Sequence, residues 1–278
     1  MMDNEIYALL KVHGFTFKKR LGQNFITDRN LLDSIVSLAG VAEEDTVLEI
    51  GCGAGTLTRA IAAKAKKVIT YEVDRSLEPV IRTTLMPYPN VQVIYQDFLK
   101  ADMPALEKGL DSYKVVANLP YYLTTPLICK VVEESAKCSS ITVMVQNEMA
   151  DRLCASAGTA EYGAITANIA LRATVEKMRF VPRTVFYPMP DVDSAVITIS
   201  IQDGRIPVQD KEMYKRAVRA AFLSRRKTYA NNLMSVFSLP RDTAETIVCD
   251  ISGNAKARGE TFTPEMFAQL ADRLSAIL

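Results

Sequence analysis

The chain has 278 residues, 49% hydrophobic and 23% charged, with a formal net charge of +1. That is the composition of a globular protein long enough for one large domain and a smaller one. A single histidine, His13, excludes His-based triads and His-rich zinc sites, and five scattered cysteines (52, 129, 138, 154, 249) point to free thiols in a reducing compartment. No window reaches the ~20 apolar residues of a membrane span and no signal-peptide core opens the chain, so a cytoplasmic protein with no membrane partner is expected; a monomer with no metal is expected as well.

Residues 1–20 read as a short amphipathic or flexible lead, basic at Lys11, Lys18, Lys19 and Arg20. Gly22, Gln23, Asn24 and Thr27 precede an apolar periodicity, Leu31, Leu32, Ile35, Val36 and Leu38, that predicts a helix; Gln23-Asn24 reads as a cap or loop. Thr46 to Ile50 predicts a strand, Gly51-Cys52-Gly53-Ala54-Gly55 a turn, and Thr56 to Lys66 a helix. The glycines permit unusual φ values and close approach of a ligand to the main chain. A dinucleotide fingerprint would carry its third glycine at position 56, where this chain has Thr56. The spacing therefore favours a nucleoside ligand without a pyrophosphate. Cys52 reads as a small filler residue.

Lys67 to Glu72 predicts a second strand whose end presents Glu72, about 20 residues beyond the first glycine, where an open α/β sheet places the acid that accepts ribose hydroxyls. Val91 to Asp97 predicts a third strand ending in Asp97. Acids at strand ends commonly cap helices, but two at the same edge as a glycine turn favour a ligand site. Val115-Val116-Ala117 then delivers Asn118-Leu119-Pro120-Tyr121-Tyr122. Read alone, that stretch fits a polar turn ending a buried strand. It also fits a site for a flat, amine-bearing ring, with the Asn118 carbonyl accepting from an exocyclic N–H and Tyr121 stacking. The next helix is expected near Thr125 as cap with Pro126 at its first position. Ile141 to Gln146 predicts a fifth strand, Glu148 to Ala155 a helix, and Ala157 to Gly163 a loop.

Val175 to Val181 and Ala195 to Ile201 have no helical pattern between them and should pair as an antiparallel, hairpin-like addition to a parallel sheet. Their connection, Pro182 to Ser194, holds three prolines (182, 188, 190) with Phe186 and Tyr187. Such a loop is functional or a rigid surface loop with an aromatic anchor. Around Asp203 to Pro207 the pattern turns helical, which places a domain boundary at 204/205. Helices are expected at 211–223, 228–237, 241–249 and 264–277, the last capped by Thr263 with Pro264 at its first position. From Lys211 to Lys227 seven basic residues face one acid, Glu212. This is either a phosphate-facing surface or a solvated helix face.

Five stretches in this order, Leu21 to Phe25, Glu49 to Gly55, Asn118 to Tyr121, Phe186 to Ser194 and Ala221 to Lys227, resemble the ribosomal RNA adenine N6,N6-dimethyltransferases that use S-adenosylmethionine. The likeness spans nearly the whole chain, and the Phe222 to Lys227 stretch favours the bacterial small-subunit branch.

The resemblance implies a doubly wound, mostly parallel α/β domain over 1–204 that binds S-adenosylmethionine, and a small helical RNA-binding domain over 205–278. It implies cofactor contacts from Asn24, Ile26, Gly51, Gly53, Glu72, Asp97 and Asn118, with Asp97 taking the cofactor's adenine amine. Asn118, the Leu119 carbonyl, Pro120, Tyr121 and Phe186 would hold the target adenine, Phe186 stacking opposite Tyr121, while Arg225, Arg226 and Lys227 would contact RNA of the small ribosomal subunit. The rivals are a large-subunit enzyme of the macrolide-resistance type, a non-catalytic ribosome-assembly factor, and a nucleotide-dependent oxidoreductase, which Thr56 disfavours.

Overall fold

The computed structural model describes residues 4–26 and 28–278; Thr27 and the side chains of Asn4 and Lys19 lie outside the described set. In chain order the elements are α1 (Asn4–Val12), β1 (Phe25–Ile26), α2 (Arg29–Leu38), β2 (Thr46–Ile50), α3 (Thr56–Ala62), β3 (Lys67–Tyr71) and α4 (Glu78–Leu85). Next come β4 (Val91–Ile94), α5 (Met103–Glu107), β5 (Tyr113–Asn118), α6 (Thr124–Glu134), β6 (Cys138–Gln146), α7 (Asn147–Leu153) and α8 (Ala164–Ala170). The chain continues through β7 (Ala173–Val181), β8 (Phe186–Tyr187), β9 (Ser194–Ile201), α9 (Lys211–Leu223), α10 (Tyr229–Phe237), α11 (Arg241–Ser252) and α12 (Pro264–Ser275).

Seven strands form one sheet in the order β4-β3-β2-β5-β6-β9-β7. The pairs from β4 to β6 are parallel, and β9 runs antiparallel to β6 with Ile141 opposite Ile199 and Val143 opposite Ile197. Val47, Val68, Val116 and Val143 are fully buried, as strands covered on both faces require. Successive strands step outward on one side of β2 through β3 and β4, then on its other side through β5 and β6. The order therefore reverses between β2 and β5, and an open α/β sheet binds ligands at the carboxyl ends of strands at such a switch point. The glycine turn follows β2, and Asn118 ends β5.

Two helix boundaries differ from expectation. The Pro120 carbonyl accepts from Leu123 N at 2.9 Å, closing a 3-10 turn over Tyr121–Leu123 that runs directly into α6 at Thr124. Pro126 thus stands inside the first turn, where its missing N–H leaves no bond unmade. The helix after the glycine turn stops at Ala62, because Lys66 N and Lys67 N turn to the Asp45 carbonyl to start β3.

The chain divides into two compact units, residues 1–150 with 175–201, and residues 151–174 with 202–278. The boundary expected at 204/205 is thereby corrected: residues 151–174 belong with the C-terminal helices. Tyr162 and Ala167 lie in the core of that unit with Tyr214, Tyr229, Phe262 and Phe267. Tyr162 donates to the Phe262 carbonyl at 3.1 Å and Tyr214 to the Ala167 carbonyl at 2.7 Å. Thr263 caps α12 by accepting from Met266 N, with Pro264 first in the helix, as the sequence predicts.

Candidate active site

Gly51, Gly53 and Gly55 have φ of +81°, +54° and +81°. A Cβ at Gly53 would stand 2.8 Å from Phe25 Cε1, so both backbone and space demand glycine there. The turn lines a cavity that also takes in Asn24, Ile26, Glu49, Glu72, Asp97, Asn118, Pro120 and Tyr122. The switch point thus brings every expected cofactor residue to one place.

Glu72, just beyond β3, is buried. Its Oε2 accepts from Gly53 N at 2.9 Å, and its Oε1 from Val73 N at 2.9 Å and Asp74 N at 2.8 Å. Burial pushes its carboxyl up, against the pull of the three N–H donors. Asp97 accepts from Leu99 N at 3.0 Å, capping the 3-10 turn that follows, and also lines the cavity. The cap and ligand readings of this acid are therefore compatible.

Glu49, buried on β2, accepts from Thr58 Oγ1 at 2.6 Å and Thr70 Oγ1 at 2.9 Å, both on Oε2. Burial, opposed by these hydroxyls and aided by Glu72, pushes its carboxyl up to about 7. Cys52 is buried beside it, and burial raises its thiol far above the ordinary range, consistent with a filler rather than a nucleophile.

Asn118 Nδ2 donates to the Asn24 carbonyl at 2.9 Å. The partner can only accept, so the amide is oriented with Oδ1 as the atom left for another donor. Leu119 N donates to Met144 O at 3.3 Å, which ties the turn to β6. The Tyr121 hydroxyl shares a 2.8 Å hydrogen bond with Ser194 Oγ, the first residue of β9.

Phe186 departs from the expected role. It is only 4% exposed and packs with Ile26, Leu31, Leu32 and Ile35, while β8 pairs with β1 through Ile26 opposite Phe186. Its ring is a core anchor. The sequence could not show this, because burial of that ring requires the lead to pair with a loop some 160 residues away.

The lead closes over the turn through a polar cluster that the sequence reading did not single out. Lys18 Nζ meets Asp74 Oδ1 at 2.5 Å and Ser76 Oγ at 2.8 Å, and Gln23 Nε2 donates to Asp74 Oδ2 at 2.8 Å. Burial raises the Asp74 carboxyl, but the bonds from Lys18, Ser76 and Gln23 outweigh it and hold the group at about 2. Phe15, Phe17 and Phe25 stack beside this cluster, and Phe17 also meets Tyr187 edge-on at 5.4 Å. Lys18 therefore pins the lead, and no local pattern around Asp74 announces that role.

In the second unit Arg225 is also reassigned. Its Nη1 donates to the Ala160 carbonyl at 2.9 Å and its Nη2 to the Tyr162 carbonyl, and the guanidinium lies over the Phe222 ring at 5.6 Å. These bonds hold residues 160–162 to the end of α9, so Arg225 is a structural tie. Arg225, Arg226 and Lys227 are all exposed. Tyr229 N donates to the Ala257 carbonyl at 2.8 Å, and a Cβ at Gly259 would overlap Ala221. Exposed Lys256 and Arg258 thereby lie on a segment packed against the one that carries Arg226 and Lys227, a convergence across about 30 residues that no sequence window shows.

The cavity's chemistry fits S-adenosylmethionine. Among the described lining residues there are three carboxylates, Glu49, Glu72 and Asp97, and no Lys or Arg. This suits a cationic nucleoside and opposes a pyrophosphate.

The profile of the ribosomal RNA adenine dimethylase family matches residues 14–274. A Bacillus licheniformis protein named ribosomal RNA small subunit methyltransferase A is 44% identical over 280 residues, covering 97% of this chain and 95% of its own. Among solved structures, a dimethyladenosine transferase from Plasmodium falciparum superposes with a TM-score of 0.76 at 25% identity, over 88% of this chain and 95% of that one. The 23S rRNA methyltransferase ErmE does so at 0.70 and 27% identity, over 91% and 100%. With this match running from the lead to α12, the chain belongs to the ribosomal RNA adenine dimethylase family.

Proposed function

We propose that the protein transfers two methyl groups from S-adenosylmethionine to the N6 amine of each target adenine in small-subunit ribosomal RNA, late in assembly of that subunit. The observation that carries this reading is the Asn118 amide, oriented by the Asn24 carbonyl so that its oxygen is the atom left to accept, in the lining of an acid-lined cavity. S-adenosylmethionine, when bound, supplies an electrophilic methyl group on a sulfonium. Gly51 and Gly53 admit it close to the main chain, Glu72 and Asp97 accept from its ribose and adenine, and Asn24 and Ile26 close the cavity from the lead.

The amine's lone pair is delocalised into the adenine ring. Hydrogen bonds to Asn118 Oδ1 and the Leu119 carbonyl favour a more pyramidal nitrogen, and Pro120 stiffens that carbonyl's position. The methylated nitrogen is acidic and loses its proton readily, so no strong base is required and positioning supplies most of the catalysis. Tyr121 offers a stacking face, its ring anchored through Ser194. Arg226 and Lys227, joined by Lys256 and Arg258, contact phosphates. The small-subunit substrate rests on the relative's name and 44% identity, against 27% to the 23S enzyme. Five free cysteines fit a cytoplasmic setting, and among the described residues no helix is long and apolar enough to cross a membrane.

The test is to incubate the protein and S-adenosylmethionine with undermethylated small subunits and, separately, with large subunits, then digest the RNA to nucleosides. N6,N6-dimethyladenosine from the small subunit alone is expected. Its appearance only in large-subunit RNA would replace this reading with the macrolide-resistance type, and its absence from both would remove the catalytic one.

A further inference from the structure

Four aromatic residues line the cavity: Phe25, Tyr71, Phe98 and Tyr122. The first three are buried, whereas Tyr122 is 56% exposed. The 3-10 turn Tyr121–Leu123 sends the two tyrosines of the Asn118 stretch to different neighbours. Tyr121 goes to Ser194 on β9, and Tyr122 to the lead, where a Cβ at Gly22 would lie 3.4 Å from its Cε1 and 3.5 Å from its Cδ1. Gly22, at φ +61°, thus leaves the ring edge room to rest on the lead's backbone. More than half of this residue is exposed, beside Pro120. Beside it in the chain Tyr121 is half-buried and tied to Ser194, so Tyr122 is the most exposed of the described aromatic residues lining the cavity.

We infer that Tyr122 is a stacking platform for the unpaired base that enters beside Asn118, a substrate-positioning role that no expectation assigned to it. The inference rests on the RNA reading above. An aromatic face grips any base without reading its edges, and the Asn118 amide then discriminates by hydrogen bonding. Stacking acts through the ring, so the phenyl group should suffice without the hydroxyl.

The experiment compares Tyr122→Phe, Tyr122→Leu and Tyr122→Ala with wild type on undermethylated small subunits, recording KM and kcat, with S-adenosylmethionine affinity by calorimetry and Tm alongside. Tyr122→Phe should stay within about two-fold of wild type. Tyr122→Leu and Tyr122→Ala should raise the subunit KM by about ten-fold or more, the scale of one lost base–aromatic contact. Cofactor affinity and Tm should hold in all three. The inference is overturned if Tyr122→Ala matches wild type, if Tyr122→Leu performs as well as Tyr122→Phe, if Tyr122→Phe fails as Tyr122→Ala does, or if cofactor affinity falls in step with KM. Wild-type protein yielding dimethyladenosine while Tyr122→Ala is unimpaired overturns this inference alone; wild-type protein yielding none overturns it together with the function on which it rests.

Discussion

The cavity at the strand ends and the basic segment after α9 carry residues of equally plain chemistry, and the fold treated them differently. Around the cavity, Gly53, Glu72, Asp97 and Asn118 all line one space. In the segment 225–227 all three residues are exposed, yet the Arg225 guanidinium donates to the Ala160 and Tyr162 carbonyls. The end of a parallel strand at a switch point is a position whose direction the sheet dictates, so residue type there translates into function. A cation between two helices has no such constraint, and a carbonyl within reach of its long side chain claims it as readily as a phosphate does.

The largest effect should come from the cavity side. Asn118→Ala should lower single-turnover methyl transfer by about two orders of magnitude or more while leaving S-adenosylmethionine binding largely in place, since its proposed hydrogen bonds would matter most in the transition state. Transfer rates near wild type would show that the amide only anchors Asn24, and that the strand-end rule fails at its best case.

Glu72→Ala sharpens the same side. If Glu72 accepts from ribose hydroxyls as proposed, its loss should weaken cofactor binding by about 1.5–3 kcal/mol, read by calorimetric titration. The variant also strips Gly53 N, Val73 N and Asp74 N of their acceptor, so a lower Tm should accompany the lost affinity. A lower Tm with unchanged affinity would make Glu72 a support of the glycine turn only.

On the basic side the prediction separates neighbours. Arg225→Ala should destabilise the protein by about 1 kcal/mol in denaturant, through its two carbonyl bonds. The pair Arg226→Ala and Lys227→Ala should leave stability within about 0.5 kcal/mol, while the slope of log affinity for small subunits against log salt becomes shallower by close to ~1 unit per lost phosphate contact. An unchanged slope would return Arg226 and Lys227 to a solvated helix end.

The remaining expectation is a pH signature of Glu49. Its folded-state value is raised from 4.5 to about 7. Below 4.5 the carboxyl is protonated in both states and its stabilising contribution is complete. As pH rises toward and through 7 the unfolded chain has already released the proton that the folded chain still holds, so that contribution is lost. The Tm difference between wild type and Glu49→Gln should therefore change across this window and be flat on either side. Asp74 acts in a separate window and with the opposite sign: its contribution is present above 3.8 and lost as pH falls through about 2. A Tm difference that does not vary with pH would show Glu49 titrating ordinarily.

The strands, the glycine turn, the switch-point acids and the caps of the C-terminal helices were legible from residues alone. Each depends on local requirements: parallel strands buried on both faces are apolar runs, a positive φ selects glycine, and Pro264 after Thr263 starts a helix. Phe186, Arg225, Asp74, residues 151–174 and the openness of Tyr122 were not legible in the same way. Tyr162 finds its acceptor 100 residues downstream at Phe262, and Lys18 finds Asp74 56 residues away. What the sequence by itself determined was therefore the sheet, its catalytic edge and the family of chemistry placed there. Which aromatic rings are buried, which cations are already bonded and which segment joins which core were decided by tertiary structure. Those choices depend on competition among partners distant in the chain, and no local pattern encodes the winner.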